Sequence, residues 1–183
     1  MTGKKGKPKA PRHHPRNDFM TILGEMDSPN NRAAAIVAAA FTENNLALAI
    51  AARFRVLTGD EEKNIFENRG VLSDFANKID VGFALGIYGA LVRDDLDNIR
   101  RIRNQFAHHL EVRDFDHAEV APMCDCLNGP KYLDHAASPD PPKPRTRKDK
   151  YLDTAAHLIA RFDLESKKVL RPPSGVALIT SDY

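Results

Sequence analysis

Tryptophan is absent from this chain, aromatic residues make up only 7% of it, and there are two cysteines in 183 residues. Sparse aromatics with abundant alanine favour closely packed helices over a sheet. Cys124 and Cys126 are separated by one residue, a spacing that strains an intramolecular disulfide. Two thiols with no second Cys or His pair also fall short of the four ligands zinc takes. Both are expected as free thiols in a reducing cytoplasm. No uninterrupted apolar run reaches the ~18 residues of a membrane span, so no transmembrane helix is expected. The basic N-terminus is not followed by a hydrophobic stretch, so no secretory signal is expected either. There is no phosphate-loop glycine spacing, no helix-turn-helix signature and no zinc finger. No cofactor and no metal are implied, and no internal repeat is visible.

What is present is a 42% apolar composition, enough for one domain core with tails. The net charge of +2 is unevenly placed. Lys4, Lys5, Lys7, Lys9, Arg12 and Arg16 fall in residues 1–16, which hold no acid, leaving 21 basic against 25 acidic residues in the body. That tail mixes Lys, Gly and Pro without periodicity and is expected to be disordered. Lys4, Lys5, Lys7, Lys9 and Arg12 are candidate contacts to RNA, DNA or another polyanion, or simply a solubilising terminus.

The apolar periodicity predicts an all-α, antiparallel bundle of five or more helices in a single domain over residues 17–170, with a tail at 171–183. A short helix is expected over 18–26. Ser28 as N-cap and Pro29 in the first helical position then open one long helix to about residue 57, roughly 43 Å at 1.5 Å per residue. Thr58, Gly59 and Asp60 stop it. Glu43 and Asn44 interrupt its apolar surface, either as a solvated stripe or as a buried functional pair. A short helix follows over 60–67. Ser73 and Asp74 cap another to about residue 88, whose Gly82, Gly86 and Gly89 offer a smooth face for close approach. Asp94 and Asp95 open the next, to about residue 110. Asp114 or Asp116 caps a further helix to about residue 127. Five prolines make residues 128–147 a long loop, and an amphipathic helix runs over about 151–168. Val176, Ala177, Leu178 and Ile179 suit a short extended segment.

One segment has the residues for chemistry. On a helical wheel, Leu96, Ile99, Ile102, Phe106 and Leu110 share one direction and form a core face. Arg103 falls on that side, where a guanidinium needs pairing. Asp74, Asp80 and Glu43 are its candidate partners. Arg101, Asn104 and His108 form a polar row on the opposite side. The hexapeptide Arg103-Asn104-Gln105-Phe106-Ala107-His108 resembles the Arg-x4-His motif of the HEPN superfamily, small helical domains that are often dimeric and in many cases metal-independent ribonucleases. Residues 66–80, then Ala84-Leu85-Gly86, then 95–108 are similar in order and spacing to the mannitol-operon repressor family over roughly residues 30–125.

The second resemblance implies a regulatory role. With no DNA-reading element and an acidic body, regulation of transcription through a protein partner is expected. The first resemblance implies an alternative, an endoribonuclease of a toxin or defence system. His108 would then be the general base on a ribose 2′-hydroxyl, Arg103 would stabilise charge on the phosphate, and Asn104 would orient one of them. On an ideal helix Arg103 and His108 lie about 140° apart. They converge only if the helix ends near Ala107 or if two subunits face each other, so a homodimer with this helix at its interface is expected.

Overall fold

The structure is a computed structural model that describes residues 19–168, except 55–56, 68 and 130–144. The expected basic tail, most of the Pro-rich loop and the extended segment near the C-terminus lie outside the described residues. Among the described residues there are seven helices and no strand. They are α1 (Phe19–Met26), α2 (Asn31–Ala51), α3 (Gly59–Phe66), α4 (Phe75–Ala84), α5 (Ala90–His108), α6 (Ala121–Asp125) and α7 (Arg147–Ser166). The all-α expectation holds.

Helix α2 is the hub because its side chains are small. Ala34, Ala35, Ala38, Ala39 and Ala49 are all buried, which lets neighbouring backbones come close. α7 packs on it most extensively, then α5, α4 and α1. Long enough and apolar enough to cross a membrane by composition, α2 has half of that window buried inside the fold. It runs unbroken through Glu43 and Asn44. Larger side chains fill the space around it: Leu46 and Ile50 from α2, Leu96, Ile99, Ile102 and Phe106 from α5, and Tyr151, Leu158, Ile159 and Phe162 from α7. Phe106, Phe115 and Tyr151 form a tilted aromatic chain with centroids 4.9 and 5.2 Å apart. Tyr151 is fully buried, and its hydroxyl donates to the Ala35 carbonyl at 2.8 Å, which satisfies the one polar atom it brings into the core.

Several expected boundaries are wrong, each for a local reason. α2 starts at Asn31, not Pro29, because Asn30 is the cap: its side chain accepts from the Ala33 amide at 3.1 Å. α2 stops at Ala51, well short of residue 57. Arg53 turns back to donate to the Ala49 carbonyl and to Glu165 of α7, and Phe54 stacks on Phe66. Thr58 and Gly59, read as a stop, are a start: Thr58 forms a capping box with Glu61 and opens α3. α4 ends at Ala84, where Gly86 takes a φ of +67° that only glycine adopts freely. The expected three-glycine face is therefore not formed. Gly82 alone is a close-approach site: a Cβ there would lie 2.8 Å from the Tyr88 hydroxyl, whereas nothing lies within 4 Å of Gly86 or Gly89. α5 begins at Ala90, so Asp94 and Asp95 lie inside it, and Asp95 is buried. The helix expected after Asp114 or Asp116 shrinks to the five residues of α6 behind a run of turns. α7 starts four residues early, at Arg147, behind a second capping box between Thr146 and Asp149.

Candidate functional site

The chemistry-bearing segment lies in the second half of α5, whose apolar spacing sets its orientation. Leu96, Ile99, Ile102 and Phe106 are completely buried, as the wheel requires. Leu110 is not: the helix ends at His108 with His109 as C-cap, and Leu110 is 84% exposed in the following turn.

The C-terminal carbonyls of α5 meet an arginine that the sequence did not single out. Arg32, one residue into α2, donates from Nη1 to the Phe106 carbonyl. Its Nη2 donates to His109 at 3.0 Å and Val112 at 3.1 Å, with Leu110 at 3.4 Å. A guanidinium is rigid and offers five donors, so one side chain satisfies carbonyls left open by the helix end and opposes the negative end of its dipole. Nothing in a local pattern marks Arg32, because its partners are more than seventy residues away.

Arg103 is paired, as its position on the wheel demands. Its Nη2 lies 3.6 Å from Glu43 Oε2. Glu43 also takes Lys78 of α4 at 2.5 Å, and Lys78 donates again to the Ser73 carbonyl. The Lys78 side chain is only 8% exposed, so Glu43 is its required counter-charge. Glu43 is thus the middle of an ion cluster joining α2, α4 and α5, and of the two readings of Glu43-Asn44 only Asn44 is an exposed surface residue. Of the other candidate partners, Asp80 pairs with Arg93 at 2.8 Å and Asp74 occupies the N-cap position of α4.

On the opposite side, Arg101 and His108 are exposed and Asn104 is half-buried. Among the described residues, none of the three makes a side-chain hydrogen bond or ion pair. Because α5 stays helical through His108, a frayed end does not bring His108 round to Arg103. Within one copy the Arg103 guanidinium faces Glu43, and the polar row faces outward.

Behind α5 is a second polar cluster that the sequence reading missed. Asp95 is fully buried and accepts from both the backbone amide (2.8 Å) and the side-chain amide (3.1 Å) of Asn128. This ties the chain after α6 to α5. His157 of α7 feels the Asp95 charge, but burial dominates and holds its pKa below the ordinary value. At the start of α7, Arg147 binds Asp125 through Nε and Nη2 and Asp116 through Nη1 at 2.7 Å. That pairing holds the Asp125 carboxyl below the usual range. Cys124 and Cys126 are free thiols. Burial pushes the Cys124 thiol up to about 12, too high for a reactive thiolate at neutral pH. No group of three or more His, Cys, Asp or Glu positioned to hold a metal exists among the described residues. Lys4, Lys5, Lys7, Lys9 and Arg12 lie outside the described residues.

No family model matches the chain, and no curated protein matches it either. A solved structure does: the X-ray structure of the MtlR–HPr complex from Escherichia coli, with a TM-score of 0.61 and 15% identity, covering 79% of this chain and 98% of that one. The chain is similar in fold to the mannitol-operon repressor MtlR across nearly all of that protein.

Proposed function

We propose that this chain is a regulator of the mannitol-repressor type, working by contact with another protein and not by reading DNA. The supporting observation is that its fold matches nearly the full length of MtlR, a protein captured in complex with HPr. The absence of a DNA-reading motif in the sequence agrees with this reading. HPr of the same host is the first partner to test. Isothermal titration of the intact chain with purified HPr is expected to give a one-to-one complex in the micromolar range or tighter. No heat and no co-elution at 100 µM on the order of typical weak complexes would reject an HPr-type partner.

A second reading has one observation in its favour. His108 is exposed at the end of α5, one turn beyond Asn104, and is not engaged by another described residue. In that reading a homodimer sets His108 of one copy against Arg103 of the other, with Arg103 released from Glu43, and the pair cleaves RNA without metal. RNA cleavage in EDTA by wild type but not by His108→Ala supports it. Equal activity of the two, or none in wild type, removes it.

A further inference from the structure

Helix α3 buries no residue of its own, and beside it runs an open apolar groove of about 470 Å³. Its apolar walls are Phe54 after α2, Ile65 of α3, Val71 and Leu72 of the α3–α4 turn, and Val81 of α4, with Asn77 and Asp80 of α4 also lining it. Val71 is 73% exposed. An apolar surface of this kind is stabilised by covering it.

The place where the described chain ends bears on what covers it. α7 closes alongside the end of α2: Arg53 Nη2 donates to Glu165 Oε2 at 2.7 Å, and Lys168 pairs with the same Glu165. Phe54, the next residue after Arg53, is the near wall of the groove. Fifteen residues, 169–183, lie beyond this point. Their longest apolar run is Val176, Ala177, Leu178 and Ile179. Seven residues lie between Lys168 and Val176, so the eight steps reach about 26 Å if extended, and Pro172-Pro173 favours extension. The tether raises the local concentration of the segment to the order of millimolar, so even weak docking is filled.

We infer that Val176, Ala177, Leu178 and Ile179 dock in the groove between α3 and α4, so that the C-terminal segment straps the loosely held α3 to the bundle. Two measurements on the full chain test this. In a Cys126→Ser background, Val71→Cys with Ile179→Cys is expected to form an intramolecular disulfide under glutathione disulfide at least ten times faster than Leu164→Cys with Ile179→Cys. Leu164 is exposed and near the exit point, so a segment that wanders freely reacts there at least as fast, and equal rates overturn the inference. A disulfide-linked dimer as the main product also overturns it, since the groove then takes the segment of a second copy. Independently, hydrogen exchange over residues 65–81 should speed up at least tenfold in Leu178→Asp/Ile179→Asp with α5 unchanged. Unchanged exchange over 65–81 overturns the inference.

Discussion

The two ends of helix α2 are held by different means. At the N-terminal end, Arg32 clamps the carbonyls that close α5, Asn31 donates to the Arg113 carbonyl, and Tyr151 bonds to Ala35 from within the core. At the C-terminal end, Arg53 bridges to α7, but α3 beyond it contributes no buried residue and has open grooves on both sides. An alanine-rich helix presents much the same surface along its length. What distinguishes its ends is which long side chains reach across from other elements. The firm end supports the helix that carries Arg103 and His108, and the loose end supports only α3. Local opening should follow the same division, since it is easiest where few apolar side chains are buried.

The largest effect that tests this contrast comes from the core. Phe106→Ala, at a fully buried ring packed on Phe115, should cost about 3–5 kcal/mol in urea unfolding. Phe66→Ala, at a half-buried ring against Phe54, should cost about a third of that because less area leaves water. Equal losses would mean α3 is as firmly held as α5. Next is Asp95→Ala, which removes the carboxylate oxygen to which both amides of Asn128 donate and should cost about 2–3 kcal/mol. Arg32→Ala should follow at about 1–2 kcal/mol. Its signature is faster amide exchange confined to the end of α5 and residues 109–113, with α3 unaffected. A matching change in α3 would show that the two ends are coupled after all.

The ion cluster gives a smaller effect. Glu43→Gln and Lys78→Met, alone and together, should give a coupling of about 1 kcal/mol in a double-mutant cycle. The coupling with Arg103→Met should be lower, since that pair is longer and Arg103 remains 31% exposed. A larger coupling for Arg103 than for Lys78 would make the Arg103 contact the main one and argue for a fixed structural role.

Much of this fold was legible in the sequence because its signals are local. The core face of α5 follows from the spacing of Leu96, Ile99, Ile102 and Phe106, and the need to pair Arg103 follows from its place beside them. Boundaries failed where two local signals compete. Ser28-Pro29 and Asn30 each suit a helix start, and Thr58-Gly59 reads equally as an end or a beginning; packing of Arg53 and Phe54 decides. The residues that fix the site were illegible for a different reason. Arg32 and Asp95 act on partners 33 to 80 positions away in sequence, and no periodicity carries that information; Glu43 was among the candidate partners of Arg103, but its second partner, Lys78, was not.

The smallest expected effect concerns His157, in the middle of α7. Burial lowers its pKa from the ordinary 6.5, and neighbouring Arg161 lowers it further, while Asp95 opposes both. The unfolded chain therefore binds a proton at this position more readily than the folded one. By linkage, the stability from a neutral His157 is fully present above about pH 6.5 and is lost as pH falls through the folded pKa. The carboxyls of Asp125, Asp149 and Glu165 are also held below their usual values, so their contribution disappears only at lower pH, below about 4. The two windows separate. Between pH 7 and 5 the wild type should lose a modest amount of stability that His157→Gln does not lose, and below pH 4 both should fall together. Parallel curves for the two proteins from pH 7 to 5 would show that His157 is solvated in the folded state.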